Sequence, residues 1–545
     1  MQPYVVEQFT PAEQAILGRY FTNVDKPVFA LVNLPEVVKG ALFARYSRSA
    51  KSLRRLFLDE FAGDVPAWEA HGEGPGTQGA TSRSHALYDR VFSEFGDDSV
   101  AQLGGAHLAC EQASNVLTKV LERGRLASYL EQSTRYIPYD SPLPDGRMRY
   151  YRDAAVSAAL GGRYEADMDA AFASYAKVFA ATQEHLERSE TAPAGVGEGP
   201  WRRALRARAL DAARGLLPAG TLSNVGIFAS GQAYESLLLR MRIDPLPEVV
   251  QYGEMMLAEL RKVIPAFLTR VDRADRGGAW SEYLRKTRAG TEEAVRRVVD
   301  RYGSQEEAAA GHDGDSVRLV GFDPPGETKI LTGILFERGG ISDARAHEIA
   351  KSLSDTERAE LFAAYVGERQ NRRHRPGRAF ERTYYRFEIV SDYGAFRDLQ
   401  RHRMLTIEWQ SLSPSFGYTL PEDVVAGGEE AEYRRAMERS AELHGAMTRA
   451  GLSAQAPYAL GMGWRMRYCI KLNVREALYL IELRSDPQGH PSYRKIAKEM
   501  HRCIVEEAGH RLVGSAMSFL GGDAPAHGRL QAESRLVVGS NRAEM

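Results

Sequence analysis

The chain has 545 residues, with 71 lysines and arginines against 72 aspartates and glutamates and a formal net charge of −1. Its length exceeds one ordinary domain, so we expect two or more. The near-zero net charge excludes a global field that would recruit nucleic acid or an acidic membrane. Cys110, Cys469 and Cys503 are isolated from one another, which argues against a disulfide framework or a structural zinc site, and no metal is expected.

No apolar run approaches the roughly 18 residues that cross a bilayer. The first residues lack the basic and apolar regions of a signal peptide. A protein of the reducing cytoplasm, without a membrane partner, is therefore expected.

Residues 1–26 are interpreted as an N-terminal arm. The apolar residues between His107 and Glu122 have helical spacing and predict a helix. The stretch from Arg123 to Tyr136 concentrates three arginines, one glutamate and several hydroxyls, and a proline follows at position 138. Guanidinium groups match phosphate and carboxylate oxygens. This stretch therefore predicts an anion site on a loop after a helix.

Further along, Gly231 to Arg242 predicts a helix, and the polar, glycine-containing residues 303–315 predict a linker. Val317–Asp323 and Thr383–Ser391 read as strands, and Leu472–Arg484 reads as a helix. Residues from about 520 onward are interpreted as a tail.

The arginine-rich stretch has a second copy, which begins at Arg401-His402-Arg403. The offset from Arg123 to Arg401 is 278 residues, about half of the chain. A second pair of matching stretches, Arg242-Ile-Asp-Pro and Arg484-Ser-Asp-Pro, supports an internal duplication. The predicted organisation is an arm (1–26), a first repeat (27–302), a linker (303–315), a second repeat (316–519) and a tail (520–545).

Both copies resemble the signature R-H-R-x-x-S-x-N-E-x-S-x-R-Y of flavin-dependent thymidylate synthases. The first copy matches at Arg123, Arg125, Ser128, Glu131, Ser133, Arg135 and Tyr136, with Gly124 in place of the histidine. The second copy matches at Arg401, His402, Arg403 and Ser411. The stretch from Asn473 to Arg484 resembles the late helix N-x-R-x-L-x-x-F-x-x-L-R of that family, and Ala213-Arg214-Gly-Leu-Leu-Pro218 resembles its A-R-x-x-L-P.

The resemblance implies an α+β protein with two tandem copies of that family's fold, a mixed sheet with long helices. It implies conversion of dUMP to dTMP with methylenetetrahydrofolate and reduced FAD, with NADPH as a further co-substrate. No cysteine nucleophile is needed for this chemistry.

The resemblance also implies roles for individual residues. The residues expected to bind the nucleotide are Ser128, Glu131, Ser133, Arg135, Tyr136, Arg214 and Arg242. Those expected to bind FAD are Arg123, Arg125, Arg401, His402, Arg403, Asn473 and Arg475. Arg242 and Arg484 are expected to be catalytic. Considered without its motif, each of these arginines would be interpreted as an ordinary surface ion-pair residue.

The first repeat keeps mainly the nucleotide-side positions and the second mainly the flavin-side positions. This pattern suggests composite sites shared by the two halves, in a homodimer that forms a pseudo-tetramer. Two alternatives stay open. One is a diverged paralogue that binds nucleotide or flavin, or acts as a scaffold; the other is a flavoprotein acting on another uridine nucleotide.

Overall fold

The computed structural model describes residues 4–34, 36–46, 49–62, 104–302 and 314–522. The chain forms two compact units. Unit 1 comprises Met1–Val178, Leu216–Ala308 and Glu432–Gly461, and unit 2 comprises Phe179–Gly215, Ala309–Ala431 and Met462–Met545. Each unit therefore includes one segment from the other half of the sequence. Most of the predicted linker (303–313) and of the predicted tail (523–545) lies outside the described residues.

The described helices differ widely in length. They are α1 (Pro11–Tyr20), α2 (Glu36–Tyr46), α3 (Leu53–Glu60), α4 (Asn115–Leu121), α5 (Ala154–Leu160), α6 (Arg163–Ser189), α7 (Glu198–Ala213), α8 (Gly231–Met241), α9 (Pro247–Leu260), α10 (Ala279–Tyr302), α11 (Gly326–Gly339), α12 (Asp343–Ser352), α13 (Asp355–Val366), α14 (Tyr393–Gln400), α15 (Glu422–Ala426), α16 (Glu430–Arg449), α17 (Val474–Ser485), α18 (Pro491–Arg502) and α19 (Arg511–Ala516). Within the described residues, none of these helices combines the length and the apolar character that a membrane crossing requires.

In the described residues, each unit contains one four-stranded antiparallel sheet. The strands of unit 1 are β1 (Val28–Leu31), β2 (Gly105–Ser114), β3 (Ala127–Glu131) and β4 (Leu222–Ser230), and those of unit 2 are β5 (Ser316–Phe322), β6 (Tyr384–Asp392), β7 (Leu405–Trp409) and β8 (Arg465–Asn473). The strand orders are β1-β2-β4-β3 and β5-β6-β8-β7, the same arrangement twice.

The sheets confirm the α+β class with two tandem copies. From Ala127 at the start of β3 to Leu405 at the start of β7 the offset is 278 residues, the offset of the repeated arginine motif. Both sheets are antiparallel throughout, so the expectation of a mixed sheet is corrected.

In both units a polar N-cap turns the chain from strand to helix. Ser114 ends β2 and accepts a hydrogen bond from Leu117 N, and Asp392 ends β6 and accepts one from Ala395 N. Ser230 and Asn473 cap α8 and α17 in the same way. Such side chains satisfy the free N–H groups of a helix start, so these short residues set where each helix begins.

The core of unit 1 includes residues of the predicted arm. Leu17 and Tyr20 of α1 are buried in an aromatic cluster with Phe29 and Phe57. In unit 2 the core lies between the sheet and its helices, and it includes Phe387, Ile389, Phe396, Tyr468, Ile470, Leu480 and Ile481.

Two local predictions were wrong. The residues from His107 to Glu122 do not form one helix, because 105–114 form the strand β2 and only Asn115–Leu121 is helical. Strand β2 is buried on both faces, so its apolar residues do not alternate with polar ones. Its apolar residues can therefore fall at helical spacing although the segment is a strand. The arginine motif is also not a loop, because its centre is the edge strand β3. The strands predicted at Val317–Asp323 and Thr383–Ser391 are confirmed within one residue.

Candidate functional site

Two strand-to-helix connections bring the second-repeat motif residues together in unit 2. Helix α14 ends at Gln400 with Arg401 as its C-cap, and His402 N donates to Leu399 O at 3.2 Å before the chain enters β7. Helix α17 starts after β8 and carries Arg475 and Arg484. Because β7 pairs with β8, the two motifs are neighbours.

Asp398 is the acceptor around which the arginines gather. Its carboxylate is bonded to Arg401, lies 3.5 Å from Arg214 Nη1 and lies 3.8 Å from Arg484 Nη1. Its backbone carbonyl accepts a 2.5 Å hydrogen bond from Arg484 Nη2. One buried carboxylate thus faces three guanidinium groups, which leaves the cluster with an excess of positive charge.

His402 is buried and links Arg484 to Glu476. Arg484 Nε donates to His402 Nε2 at 3.0 Å, and His402 Nδ1 lies 3.0 Å from Glu476 Oε1. An arginine N–H can only donate, so Nε2 must accept and the ring proton must lie on Nδ1, where it donates to Glu476. Burial, together with the charges of Arg484 and Arg401, holds the pKa of His402 well below its ordinary value. The imidazole is therefore neutral.

Glu476 is a buried carboxyl at the first turn of α17. Burial raises its pKa to about 7, against the lowering effect of Arg375, Arg475 and Arg403. Near neutral pH the His402–Glu476 pair can therefore gain or lose one proton at the carboxyl without charging the ring.

Arg214, a first-repeat residue, belongs to unit 2 and packs against the start of α14. It is 4% exposed, with Nη2 3.9 Å from Asp392 Oδ1. A Cβ on Gly394 would lie 2.9 Å from that Nη2, so the glycine makes room for the guanidinium. Arg214 Nη2 makes no hydrogen bond with the described residues although it is buried. Arg214 Nη2 can therefore still donate a hydrogen bond to a bound ligand.

An open pocket of about 630 Å³ lies beside this cluster and is lined mainly by arginines. Its lining residues are Arg372, Arg373, Arg375, Arg475, Tyr479 and Leu483. Arg375 stacks 3.6 Å above the ring of Tyr479, and that ring lies 5.5 Å from the ring of His402. Arg475 donates to Pro376 O at 2.9 Å and lies 3.5 Å from Glu381. The pocket is therefore a cationic cleft with an aromatic wall.

Two further residues that were predicted to bind flavin do not line this pocket. Arg403 is exposed after α14. Asn473 uses its side-chain oxygen to accept from Glu476 N at 2.9 Å, so it caps α17 and orients the helix that carries Glu476.

The structure places the remaining predicted residues in unit 1. Arg123, Arg125 and Ser128 are exposed, and Tyr136 is 46% exposed. Ser133 Oγ accepts from Arg135 N at 3.2 Å in a local turn.

Glu131 and Arg242 are engaged by neighbours. Glu131 is buried, and its carboxylate lies 3.3 Å from Lys119 Nζ. Arg242 donates to Val271 O at 2.7 Å and bonds to Asp272 at 2.5 Å.

Strand pairing identifies what the first repeat has in place of the unit 2 cluster. Ala127 pairs with Ala229 as Leu405 pairs with Leu472, which makes Ser230 the counterpart of Asn473. Continuing along the paired elements gives the counterparts of Asp398, His402, Glu476 and Arg484. They are Val120, Gly124, Ala233 and Met241.

In unit 1, other atoms fill the space that the corresponding polar side chains occupy in unit 2. A Cβ at Gly124 would lie 2.6 Å from the Tyr129 hydroxyl, which donates to Gly124 O, so the space of a histidine is filled. Met241 is buried in the core. By this alignment Arg242 corresponds to Ser485, one residue beyond Arg484.

Sequence reasoning missed Asp398, Glu476 and Gly394, together with the arginines at 372, 373 and 375. The pattern R-R-x-R at these positions is a cluster of basic residues, which is a sequence signal for an anion site. Asp398, three residues before Arg401, and Glu476, three residues after the cap Asn473, fit common local patterns and carry no functional signal alone. Among the residues that the structure describes, no three His, Cys, Asp or Glu side chains form a group that could hold a metal ion.

Comparison with known proteins identifies relatives of the whole chain. The family described as thymidylate synthase complementing protein matches residues 48–266 and 341–508. A UPF0159 protein of Chlamydia muridarum is 36% identical over 533 residues, 97% of this chain and 98% of its own length. UPF0159 proteins of Chlamydia pneumoniae (36% over 502 residues; 92% of this chain and 93% of the relative) and Thermoplasma acidophilum (29% over 538 residues; 92% and 98%) are also similar.

Proposed function

Because the chain belongs to the thymidylate synthase complementing protein family, we propose that it is a flavin-dependent thymidylate synthase-like methyltransferase. It would convert dUMP to dTMP with methylenetetrahydrofolate and reduced FAD. The observation that carries the proposal is the cluster in unit 2, in which Arg214, Arg401 and Arg484 surround Asp398 beside neutral His402. A cluster with excess positive charge is suited to anionic substrate groups.

The residues of the neighbouring pocket fit FAD. Its diphosphate is an anion, and Arg373 and Arg375 make no ion pair with the described residues. Arg475 has Glu381 at 3.5 Å, and Tyr479 offers a ring for stacking. When bound, FAD supplies the redox chemistry that the side chains lack.

The side chains in turn would bind and orient. Arg484 is held at three points, by the Asp398 carbonyl, the Asp398 carboxylate and His402 Nε2. A guanidinium fixed in this way can stabilise negative charge that develops on a pyrimidine ring without reorganising first. Arg214, held over Gly394, can bind a phosphate or ring oxygen with its remaining donor.

The nucleotide-side residues of the first repeat complete the proposal. Ser128, Glu131, Ser133, Arg135, Tyr136 and Arg242 would contact dUMP, with Arg123 and Arg125 on the flavin side. A homodimer with composite sites, and NADPH as the reductant of FAD, are parts of the same proposal. They rest on the distribution of the motif residues between the repeats.

A second candidate is a non-catalytic paralogue that binds nucleotide or flavin. The observation in its favour is Glu131, which is buried beside Lys119 and so is engaged structurally.

Flavin content and release of the C5 proton from dUMP separate the two candidates. The proposal expects one flavin per chain, because unit 1 has Gly124, Ala233 and Met241 where unit 2 has His402, Glu476 and Arg484. It also expects folate-dependent proton release that Arg214→Met and Arg135→Ala reduce. The wild type should rescue a thymidine-requiring host, and Arg214→Met and Arg135→Ala should rescue it less well. Bound flavin without any proton release would favour the paralogue.

A further inference from the structure

Unit 1 contains a cavity of 430 Å³ that the motif residues do not line. This volume is within the range of small-molecule sites. The cavity lies at a bulge in β2, where pairing with β4 shifts between Cys110 and Ala113. Strand β6, the counterpart in unit 2, pairs with β8 over nine residues without a shift. The first repeat therefore has a feature here that the second lacks.

The bulge holds a residue in an unfavourable backbone conformation. Gln112 has φ of 55°, a left-handed value that a residue with a side chain adopts at an energetic cost. It is held there because its N–H donates to Asn224 Oδ1 at 3.0 Å and its side chain donates to Val5 O at 3.3 Å. Bulges and strained residues are concentrated at binding sites, and both Gln112 and Asn224 line the cavity.

All charged side chains that line the cavity are neutralised or saturated except one. Two ion pairs neutralise charge, Arg55 Nε to Glu7 Oε1 at 2.6 Å and Lys51 Nζ to Asp59 Oδ2 at 2.7 Å. The Glu111 carboxylate is saturated instead, because it accepts from the hydroxyls of Tyr4 and Tyr46 at 2.9 and 3.1 Å and from Leu53 N at 2.9 Å.

The exception is Arg149. Its Nε is buried and makes no hydrogen bond, and its guanidinium has no ion-pair partner, within the part of the chain that the structure describes. Its carbonyl accepts from Leu222 N at 2.8 Å, which fixes its backbone against the start of β4. Arg149 is half-buried, and its guanidinium lies 5.9 Å from the centre of the Tyr139 ring. A buried N–H without a hydrogen bond is unfavourable, and a bound anion that accepts from it would remove that penalty.

We propose that this cavity binds a small organic anion, a carboxylate on an apolar body, with Arg149 as the anion-binding residue. The guanidinium fork matches a carboxylate in two parallel hydrogen bonds. Pro142, Leu143 and Leu222 supply an apolar wall for the rest of the ligand. Gln132, which stands between the motif residues Glu131 and Ser133 in the sequence, lines the cavity, and its Nε2 donates to Ser49 O. Glu131 contacts Lys119 instead and does not line the cavity. The proposal is independent of the thymidylate synthase-like function.

Binding of benzoate to the full-length protein, measured by ligand-observed NMR, tests the assignment. Benzamide is the matched neutral probe, and inorganic phosphate is the anion without an apolar body. We expect benzoate to bind at least tenfold more tightly than either, a difference of ~1.4 kcal/mol. Arg149→Met should abolish that preference, and Arg149→Lys should keep part of it. Arg147→Met is the matched control, because Arg147 bonds to Asp145 and does not line the cavity.

Equal binding of benzoate and benzamide by the wild type would overturn the proposal, as would unchanged benzoate binding by Arg149→Met. Phosphate binding that depends on Arg149, without benzoate binding, would overturn the carboxylate assignment. Thermal unfolding of Arg149→Met shows whether the variant is folded. If it is not, the benzoate–benzamide comparison and Arg149→Lys decide the question.

Discussion

Replacing Glu476 by glutamine should change how the stability of unit 2 depends on pH. The carboxyl is 5% exposed, and burial raises its pKa to about 7 from an ordinary value of 4.5. Between these values the unfolded chain releases the proton while the folded chain keeps it, so stability falls as pH rises. The difference between these two pKa values corresponds to ~3 kcal/mol of stability, which is lost once the pH is above about 7. Glutamine cannot ionise, so Glu476→Gln lacks this loss.

Denaturant unfolding of wild type and variant between about pH 4.5 and about pH 8.5 measures the effect. The difference in unfolding free energy should grow by ~3 kcal/mol in favour of Glu476→Gln as pH rises. Glu408→Gln, an exposed site on β7 of the same unit, is the matched control and should run parallel to the wild type. Parallel curves for Glu476→Gln as well would refute the reasoning, because they would mean that Glu476 ionises normally in the folded chain.

Three other outcomes are expected. Gly394→Ala should weaken dUMP binding, measured by calorimetry, because its Cβ would lie 2.9 Å from Arg214 Nη2; an unchanged affinity would show that Arg214 does not contact the nucleotide. Arg369→Met should lower the unfolding free energy in urea by about 3–5 kcal/mol, since the Arg369–Glu482 pair is buried, at 2% and 0% exposed; a loss below ~1 kcal/mol would contradict this. Burial raises the pKa of Glu248 from 4.5 to about 7, so Glu248→Gln should remove part of the loss of stability that occurs as pH rises from about 4.5 to about 7, measured by hydrogen exchange in unit 1; an unchanged profile would refute the assignment.

Local patterns predicted the strands at 317–323 and 383–391, because alternating apolar residues have few other interpretations. The pattern failed at β2, where burial on both faces removes the alternation. It failed again at β3, where the edge position lets polar motif residues lie on a strand. The duplication was visible because the arginine motif at Arg123 recurs 278 residues later at Arg401, and the identical strand orders support it.

The site was predictable only in part. Arg401, His402 and Arg484 could be named from motifs, but the acids that hold them could not: Arg401 and Arg484 meet at Asp398, and His402 is bonded to Glu476. Those two acids reach the cluster through the pairing of β7 with β8 and the caps at Asp392 and Asn473. Single-residue patterns do not encode such long-range proximity. The tautomer of His402 follows from its partners and so requires the fold.

The interleaving of the sequence between the units constrains how this chain can evolve or be engineered. A chain cut at residues 303–313 would separate Arg214 from Asp392 and Asp398, its neighbours in unit 2. It would equally separate Tyr458, which bonds to Glu248 at 2.8 Å in unit 1, from the first repeat. Neither half carries a complete unit, so losing one repeat also damages the unit built mainly from the other. Selection on the second repeat's cluster therefore preserves the first repeat as well, even though the first repeat has Gly124 and Met241 where the second has His402 and Arg484.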